Sequence, residues 1–383
     1  MSTGNESTAS GSSAGTGLRG VVAAQSSMSK VNGEEGILVY QGFDIHDLAE
    51  NSTFEETIYL LWNGRLPTRD ELDVLKAEIR NNYAIPSEIL VFMRHFPHDA
   101  SPMDVLRTCV STLAFYDKEG QKTDSESAKL ASVKLTAAFP TIVAAWERIR
   151  NGKEPVAPDP TLDIAENFLY MMRGEKPDPG EARMLDICLI LHADHGLNAS
   201  TFACRVIAGT LADTYGAVTG GIAALAGPLH GGANTAVMKS LKEIGEVENV
   251  ESWLEDTLSN KRKVMGVGHA VYKTEDPRAT WLRKFSEQMG GITGETKWFE
   301  MSQKLEKLVK EKKGLNPNVD FYSASTYYMM GIPMDLFTPI FAISRISGWT
   351  GHILEQYAEN KLIRPRAEYV GKFDQKWVPL DQR

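Results

Sequence analysis

Cysteine is scarce in this chain of 383 residues. The three cysteines, Cys109, Cys188 and Cys204, lie in apolar sequence of helical character, and none belongs to a C-x-x-C or C-x-x-H motif. The pattern therefore argues against a disulfide framework and against a thiolate metal site. Such low cysteine usage is typical of a reducing compartment, and we expect a cytoplasmic protein.

Targeting segments, membrane spans and an excess of basic charge are also missing. Residues 1–17 are mainly Ser, Thr and Gly without a basic cluster or an apolar stretch, which argues against a secretory signal and predicts a disordered tail. No uncharged apolar run approaches the roughly 20 residues of a membrane helix. The formal net charge of −9 disfavours binding to polyanionic surfaces. We expect a soluble protein without nucleic-acid or membrane partners.

Familiar cofactor and catalytic motifs do not occur. The sequence contains no Walker lysine motif and no G-x-S-x-G elbow. Gly266-Val267-Gly268 lacks the third glycine and the preceding strand of a dinucleotide fingerprint. His192 and His195 have i, i+3 spacing, but no further ligands follow at a recognisable interval. We predict neither a resident cofactor nor a bound metal.

Helix signals are abundant. Thr53 precedes Glu56 by three residues, and Thr68 precedes Glu71 in the same way, so both places have capping-box chemistry ahead of apolar positions. The sequence shows no alternating βαβ pattern and no repeat of about 20 to 50 residues. We therefore predict an all-α enzyme.

Other local signals mark the ends of elements. Ser101-Pro102 and Asp178-Pro179 each place a proline at the first position of a helix. Asn32-Gly33 predicts a turn, and with it a short hairpin or an irregular segment, between Leu18 and Phe43.

The length of the chain predicts two domains rather than one, because it exceeds the usual size of a single hydrophobic core. The segment from Leu241 to Lys313 is more charged and more often interrupted by glycine than its flanks. We predict a large domain formed by residues 18–229 and 326–383, and a small domain formed by residues 230–325.

The segment from Ser200 to Gly227 is crowded with Ala, Gly, Ser and Thr at helical spacing. Small residues let helices approach closely. The segment is either an internal pair of core helices or a helix surface that packs against its copy in a second subunit, and the pattern does not choose between them.

Four of the eight histidines, His195, His230, His269 and His352, stand next to a glycine, and the glycines around the first three are the informative ones. A single histidine is more often a satisfied polar group than a catalyst, but neighbouring glycines indicate close backbone approach to a ligand. The segment from Val264 to Arg278 has no regular periodicity and reads as a binding loop. Its imidazole suits a carbonyl oxygen and its guanidinium a carboxylate, which predicts an anionic carbonyl ligand.

Asp320 follows a turn marked by proline and asparagine and precedes an aromatic, apolar segment. Its carboxylate is either the N-cap of the following helix or a general base whose basicity is raised by desolvation. Arg345 and Arg364 stand in apolar surroundings. Each needs an anion, which is either a structural carboxylate or a substrate.

Five segments, taken together, resemble the citrate synthase family. They occur in family order, and the likeness runs from about Leu18 to Arg383. The short chain is similar to the compact dimeric class of that family. The segments are His-Ala-Asp-His-Gly-Leu-Asn-Ala-Ser from His192, Gly-Pro-Leu-His-Gly-Gly-Ala-Asn from Gly227, Gly-His-Ala-Val-Tyr-Lys-x-x-Asp-Pro-Arg from Gly268, Asn-Val-Asp-Phe-Tyr-Ser from Asn318 and Arg-Ile-Ser-Gly-Trp from Arg345.

The resemblance implies a large helical domain, a small helical domain that closes over the active-site cleft, and a homodimer. It also implies that acetyl-CoA and oxaloacetate are condensed with water to citrate and CoA, with no metal and no cofactor beyond the substrate CoA ester. His230 would bind the thioester oxygen, Asp320 would remove a methyl proton, and His269 would polarise the ketone of oxaloacetate.

The binding residues are implied in the same way. Those for oxaloacetate are His195, His269, Arg278, Arg345 and, from the partner subunit, Arg364. Those for CoA are Lys263, Val264, Met265, Gly266, Val267, Gly268 and Lys273. One position departs from the family pattern, because Gly196 stands where relatives often carry a glutamate.

Two alternatives remain open. A 2-methylcitrate synthase has the same motifs and uses propionyl-CoA, and one methylene in an apolar pocket is worth only about 1 to 3 kcal/mol of discrimination. A catalytically silent CoA-binding or scaffold protein is less consistent with the sequence, because both His230 and Asp320 are present.

Overall fold

A computed structural model of the protein describes Leu18 and residues 21–383. The predicted tail at residues 1–17 lies outside the described residues. The helices are α1 (Ile45–Asn51), α2 (Phe54–Asn63), α3 (Arg69–Asn81), α4 (Ser87–Met93), α5 (Pro102–Leu113), α6 (Ser125–Arg150), α7 (Ile164–Arg173), α8 (Pro179–His192), α9 (Ala199–Ala208), α10 (Thr214–Leu225), α11 (Ala233–Ile244), α12 (Val250–Ser259), α13 (Pro277–Thr293), α14 (Lys297–Lys313), α15 (Val319–Met329) and α16 (Phe337–Ala358). Short 3₁₀ turns occur at Ala114–Tyr116, Val247–Asn249, Met334–Leu336 and Leu380–Gln382.

The helix starts follow the local signals. Thr53 and Thr68 form complete capping boxes at the starts of α2 and α3. Asp178 caps α8, since its carboxylate accepts hydrogen bonds from the first-turn amides. Ser101 precedes α5 as predicted, but its side chain makes no capping hydrogen bond. The all-α fold class is confirmed, because helices account for most of the described chain.

The predicted hairpin belongs to a small antiparallel sheet. Strand β1 (Ser29–Asn32) pairs with β2 (Ile37–Tyr40), which pairs with the two-residue β3 (Phe43–Asp44). The Tyr40 hydroxyl donates to the backbone oxygen of Asp194 at 2.9 Å and accepts from the backbone N–H of the same residue at 3.2 Å. The hairpin is therefore fastened to the turn that follows α8.

Two long apolar helices, α6 and α16, run through the core. Within the described residues, α6 alone has the length and composition to cross a membrane, yet 83% of its most apolar stretch is buried inside the protein. The largest buried side chains include Trp146 of α6 and Trp349 of α16. Burial of this kind is that of a central core helix.

Close packing joins α9 and α10. A Cβ atom on Gly221 would lie 2.5 Å from Sγ of Cys204, and one on Gly220 would lie 2.2 Å from Cδ1 of Ile207. The small residues of this segment therefore serve an internal helix pair. Packing against a second subunit stays a prediction.

The chain divides into two compact units. Ser26–Leu362 forms one and contains all sixteen helices listed above. The other contains the described residues up to Gln25 together with Ile363–Arg383, where Tyr369, Phe373 and Trp377 are exposed. The predicted division into large and small domains stays a prediction.

Glu55 of α2 is a buried carboxyl group that contacts the start of α7. One of its oxygens accepts a hydrogen bond from the backbone N–H of Ile164 at 2.9 Å, and the other finds no partner among the described residues. Asp163, the residue before α7, binds Lys76 and Arg80 instead of capping the helix. Burial, with the nearby Asp163 charge, raises the pKa of Glu55 to about 8.

We predict that Glu55→Gln stabilises the protein at alkaline pH. Because the pKa of Glu55 is raised in the folded state, ionisation costs stability as pH rises from its unfolded value near 4.5 to about 8. Gln keeps the acceptor for Ile164 without that cost. The free energy of unfolding should match wild type at pH 4.5 and exceed it by on the order of 2 kcal/mol at pH 8.5.

Denaturant unfolding at several pH values measures this effect. Glu88→Gln is the control, because Glu88 is exposed in the first turn of α4. A difference between Glu55→Gln and wild type that is the same at every pH would contradict the prediction.

Candidate active site

The turn between α8 and α9 carries His195. Its Nε2 lies 3.1 Å from the hydroxyl of Tyr272, which belongs to a separate loop. Burial and the positive charge of Arg278 lower the pKa of His195 well below its usual value. His195 is therefore a neutral imidazole at pH 7.

His192 does not form a metal-binding pair with His195. It is fully buried, and its Nδ1 donates to the backbone oxygen of Cys188 at 2.7 Å. Within the described part of the chain, no group of three His, Cys, Asp or Glu side chains is arranged to hold a metal ion.

His269 is held in one tautomer by its own loop. Its Nδ1 accepts hydrogen bonds from the backbone N–H groups of Val271 at 3.0 Å and Tyr272 at 3.1 Å. Burial, reinforced by Arg278, lowers its pKa. The proton of the neutral ring therefore sits on Nε2, which makes that atom a hydrogen-bond donor. The rings of His269 and His195 lie 5.3 Å apart.

His230 lies between α10 and α11 and faces the start of α9. Its Nε2 accepts a hydrogen bond from the backbone N–H of Ser200 at 3.2 Å, and the hydroxyl of the same serine lies 2.8 Å away. Trp349 of α16 donates to that hydroxyl at 3.1 Å. Burial, with a smaller effect of Arg345, lowers the pKa of His230 to about 4. The ring is neutral at pH 7 and presents Nδ1–H as its free donor.

Asp320 is the second residue of α15. The N-cap is Asn318, whose side chain accepts from the backbone N–H of Asp320 at 3.0 Å, so the capping interpretation of Asp320 is wrong. The carboxylate accepts no hydrogen bond from any described residue. Burial raises its pKa to about 6, although Arg278 and Arg345 oppose the shift. A partly buried, unpartnered carboxylate of this kind suits proton abstraction.

Arg278 is buried and paired with Asp276. The carboxylate accepts from Nε at 2.9 Å and from a terminal guanidinium nitrogen at 2.8 Å, which is bidentate geometry. It also accepts from the backbone N–H of Val319 at 3.1 Å, immediately before Asp320. Burial alone would raise the pKa of Asp276, but Arg278 lowers it overall, so both groups stay charged.

Arg345 lies on α16, is buried, and has no carboxylate within 4 Å among the described residues. Its Nε donates to the backbone oxygen of His192 at 2.8 Å, and its guanidinium stacks over Phe341. Burial lowers its pKa to about 10, with Asp194 the largest opposing influence. A buried guanidinium that is still charged at pH 7 and lacks a protein carboxylate suits an anionic ligand.

The predicted CoA segment, residues 263–268, runs beside the start of α15. The backbone N–H of Asn318 donates to the oxygen of Gly266 at 2.9 Å, and that of Gly268 donates to the oxygen of Asn316 at 2.8 Å. Gly266 has φ +75°, and a Cβ there would lie 3.0 Å from the Cα of Phe321. The close approach requires glycine. Lys263 is exposed, while Val264, Met265 and Val267 are partly buried.

The tip of the β1–β2 hairpin holds the loop that carries Tyr272. The backbone N–H of Lys273 donates to the oxygen of Gly33 at 2.8 Å, and the Lys273 side chain forms an exposed ion pair with Glu34. A Cβ atom on Gly33 would lie 2.0 Å from the backbone oxygen of Val271. The loop and the hairpin therefore leave no space for a side chain at residue 33.

The predicted catalytic residues and most of the predicted oxaloacetate residues share one electrostatic environment. Arg278 influences the pKa of His195, His269 and Asp320, and Arg345 influences those of His195, His230 and Asp320. These six residues come from five separate parts of the chain. Arg364 lies in the other compact unit and is exposed, so its predicted role stays a prediction.

Three contributors to the site escaped the sequence interpretation. Asp276 has a local signal, because an Asp-Pro pair before a helix is typical of an N-cap followed by proline. Tyr272 and Ser200 lie inside the quoted motifs, but their partners, His195 and His230, are 77 and 30 residues away. Spacing along the chain gives no signal for such contacts.

Comparison with known proteins agrees with the fold and the motifs. The model of the citrate synthase C-terminal domain family matches residues 17–366. Citrate synthase 2 of Bacillus subtilis is 51% identical over 368 residues, which are 96% of this chain and 98% of the relative. 2-Methylcitrate synthase 1 of Corynebacterium glutamicum is 40% identical over 374 residues, again 96% of this chain and 98% of the relative.

A solved structure with the same fold is the ternary complex of Thermoplasma acidophilum citrate synthase with carboxymethyl coenzyme A and oxaloacetate. It matches with a TM-score of 0.91 at 33% identity, and the match covers 96% of this chain and 99% of that chain. The relatives carry the names of two related synthases, so they establish the family and the reaction class but not the acyl donor. The chain belongs to the citrate synthase family and is an acyltransferase of that family.

Proposed function

We propose that this protein condenses acetyl-CoA with oxaloacetate and water to give citrate and CoA. The observation that carries the proposal is the combination of an unpartnered carboxylate, Asp320, with two neutral imidazole donors, His230 and His269, in one electrostatic environment. A carbanion-forming condensation needs one base and one donor for each of two carbonyl oxygens.

Asp320 and His230 form the enolising pair of the proposal. A thioester methyl is a very weak acid, so a carboxylate removes its proton only if the developing oxyanion is stabilised at the same time. The Nδ1–H of His230 supplies that donor, because Nε2 is occupied by Ser200. The nucleophilic carbon then forms a bond to the ketone carbon of oxaloacetate, whose oxygen accepts a hydrogen bond from Nε2–H of His269.

The remaining residues bind and orient. Arg278, Arg345 and His195 hold oxaloacetate, and Arg364 reaches it from the partner subunit of a homodimer. Hydrolysis completes the reaction, as water adds to the thioester carbonyl of citryl-CoA and the CoA thiolate leaves. The proposed CoA contacts are Lys263, Val264, Met265, Gly266, Val267, Gly268 and Lys273. We expect the enzyme to need no resident cofactor and to act in the cytoplasm.

The second candidate function is 2-methylcitrate synthesis from propionyl-CoA. The specific observation that favours it is the 40% identity to 2-methylcitrate synthase 1 of Corynebacterium glutamicum. The 51% identity to a citrate synthase favours acetyl-CoA. A catalytically silent role is disfavoured, because Asp320 keeps a raised pKa and both imidazole donors are in place.

We expect release of CoA from acetyl-CoA to depend on oxaloacetate. A thiol-release assay with and without oxaloacetate measures this directly, and propionyl-CoA is run in parallel. Acetyl-CoA should give a kcat/KM at least about 10-fold above that of propionyl-CoA. A higher kcat/KM for propionyl-CoA would support 2-methylcitrate synthesis instead. Release of CoA without oxaloacetate would contradict both candidate functions.

Asp320→Asn should abolish turnover and leave oxaloacetate affinity within about 3-fold of wild type, because Asp320 acts only on the acyl donor. The base must be ionised, so wild-type kcat/KM should fall as pH drops through the Asp320 pKa of about 6. Protonation of His230 should not contribute to this decrease of kcat/KM, since the pKa of His230 is about 4. Rate profiles and calorimetric titration check both outcomes; a profile that is flat from pH 5 to 8 would exclude Asp320 as the base.

Gly33→Ala should raise KM for oxaloacetate by about 10-fold, since the new methyl group displaces the backbone at Val271 and with it the loop of His269 and Tyr272. Gly291→Ala is the matched control, because a Cβ there meets no atom within 4 Å. Steady-state kinetics of the two variants decide the point. Equal KM values for oxaloacetate in Gly33→Ala and Gly291→Ala would show that the hairpin does not position the site.

A further inference from the structure

One face of α16 packs along the turn that carries His195. Arg345 donates to the backbone oxygen of His192 at 2.8 Å. A Cβ atom on Gly348 would lie 2.3 Å from the backbone oxygen of Ala193. His352 approaches the next residue, Asp194, with Nε2 3.2 Å from Oδ1. Positions 345, 348 and 352 share one helix face, so three successive residues of the turn meet the same helix.

Asp194 is fully buried and is tied into the turn by nearly every polar atom it has. Its Oδ2 accepts from the hydroxyl of Ser29 at 2.5 Å and from the backbone N–H of Gly196 at 3.2 Å. Tyr40 binds both its backbone N–H and its backbone oxygen. Gly196 has φ +60° and no side chain of its own, and its backbone N–H is held by the side chains of Asp194 and Ser29. The Asp194 carboxylate therefore links the residues before and after His195.

His352 is fixed from the opposite side. Its Nδ1 lies 3.3 Å from a guanidinium nitrogen of Arg205, and a guanidinium only donates hydrogen bonds. Nδ1 is thus the acceptor in this contact, and Nε2 faces Asp194. Arg205 is itself held by Gln356 at 3.1 Å and by an ion pair with Glu355. His352 and Asp194 are both completely buried.

Asp194 also balances the charge of Arg345. Arg345 has no carboxylate within 4 Å among the described residues, and a buried guanidinium without a counter-charge is costly. Asp194 is the largest influence that keeps Arg345 protonated against its burial. The attraction acts at a distance and leaves the guanidinium without a direct ion pair to any carboxylate of the described residues.

We infer that Asp194 and His352 are positioning residues for oxaloacetate: the buried pair holds the turn of His195 against α16 and leaves Arg345 unpaired for a substrate carboxylate. Neither residue belongs to the set that the family resemblance assigned. Asp194 precedes His195 in the chain and His352 shares a helix face with Arg345, whereas no hydrogen bond or ion pair among the described residues joins either of them to the proposed acyl-CoA groups His230 and Asp320. The inference rests on the proposed function.

Steady-state kinetics of Asp194→Asn and His352→Leu test this role. Both variants should raise KM for oxaloacetate by about 10-fold or more while kcat and KM for acetyl-CoA stay within about 3-fold of wild type. His352→Gln should restore most of the affinity, because its amide donates to Asp194 and its carbonyl accepts from Arg205. A purely structural role would not separate the two substrates in this way.

Ser347→Ala is the matched control. Ser347 is buried on the same helix and its hydroxyl donates to the backbone oxygen of Ser344 at 2.7 Å, not to the turn. It should leave KM for oxaloacetate unchanged. An equal rise of KM in Ser347→Ala, or variants of Asp194 and His352 that lower only kcat, would overturn the inference.

Ser29→Ala keeps the test decisive if Asp194→Asn does not fold. It removes the hydroxyl that binds Asp194 and Gly196 from the edge of the sheet, and we expect a rise of about 3-fold in KM for oxaloacetate. An unchanged KM in both Ser29→Ala and His352→Leu would also overturn the inference. Calorimetric binding of oxaloacetate separates this failure from that of the proposed function, since wild-type protein that binds oxaloacetate but releases no CoA contradicts the function alone.

Discussion

The carboxylate of Asp276 is the interaction on which the geometry of the site depends. It caps α13, holds Arg278 in bidentate geometry, and accepts the backbone N–H of Val319 at the start of α15. One buried group thereby sets the position of a guanidinium relative to the residue that follows Val319, Asp320. A buried ion pair is costly unless its remaining hydrogen-bonding capacity is used, and here the backbone amides use it.

Charge in the site is arranged so that the imidazoles stay neutral and the arginines stay charged. Burial lowers the pKa of His195, His230 and His269, and the nearby positive charges of Arg278 and Arg345 act in the same direction. Backbone amides decide which nitrogen of His230 and His269 carries the proton. Donors arranged in advance lower the cost of stabilising an oxyanion, because they need not reorient during the reaction.

Much of the fold was predictable from local patterns, because capping and turn chemistry act over a few residues. The capping boxes at Thr53 and Thr68 and the turn at Asn32-Gly33 are found where the patterns place them. Of the two interpretations of Asp320, the N-cap is wrong for an equally local reason, because Asn318, two residues earlier, caps the helix. Residue type identifies the possible N-cap residues, and the backbone conformation determines which of them caps the helix.

The sequence by itself determined the helical class, the helix starts and the motifs that identify the family. Only the tertiary structure decided that Arg345 is buried without a carboxylate partner among the described residues, and that Asp194 meets His352, 158 positions further along the chain. Those contacts depend on how α16 packs against the turn after α8. The physical reason is that hydrogen bonds between distant residues have no period and no fixed spacing, so they exist only once packing has brought the helices together.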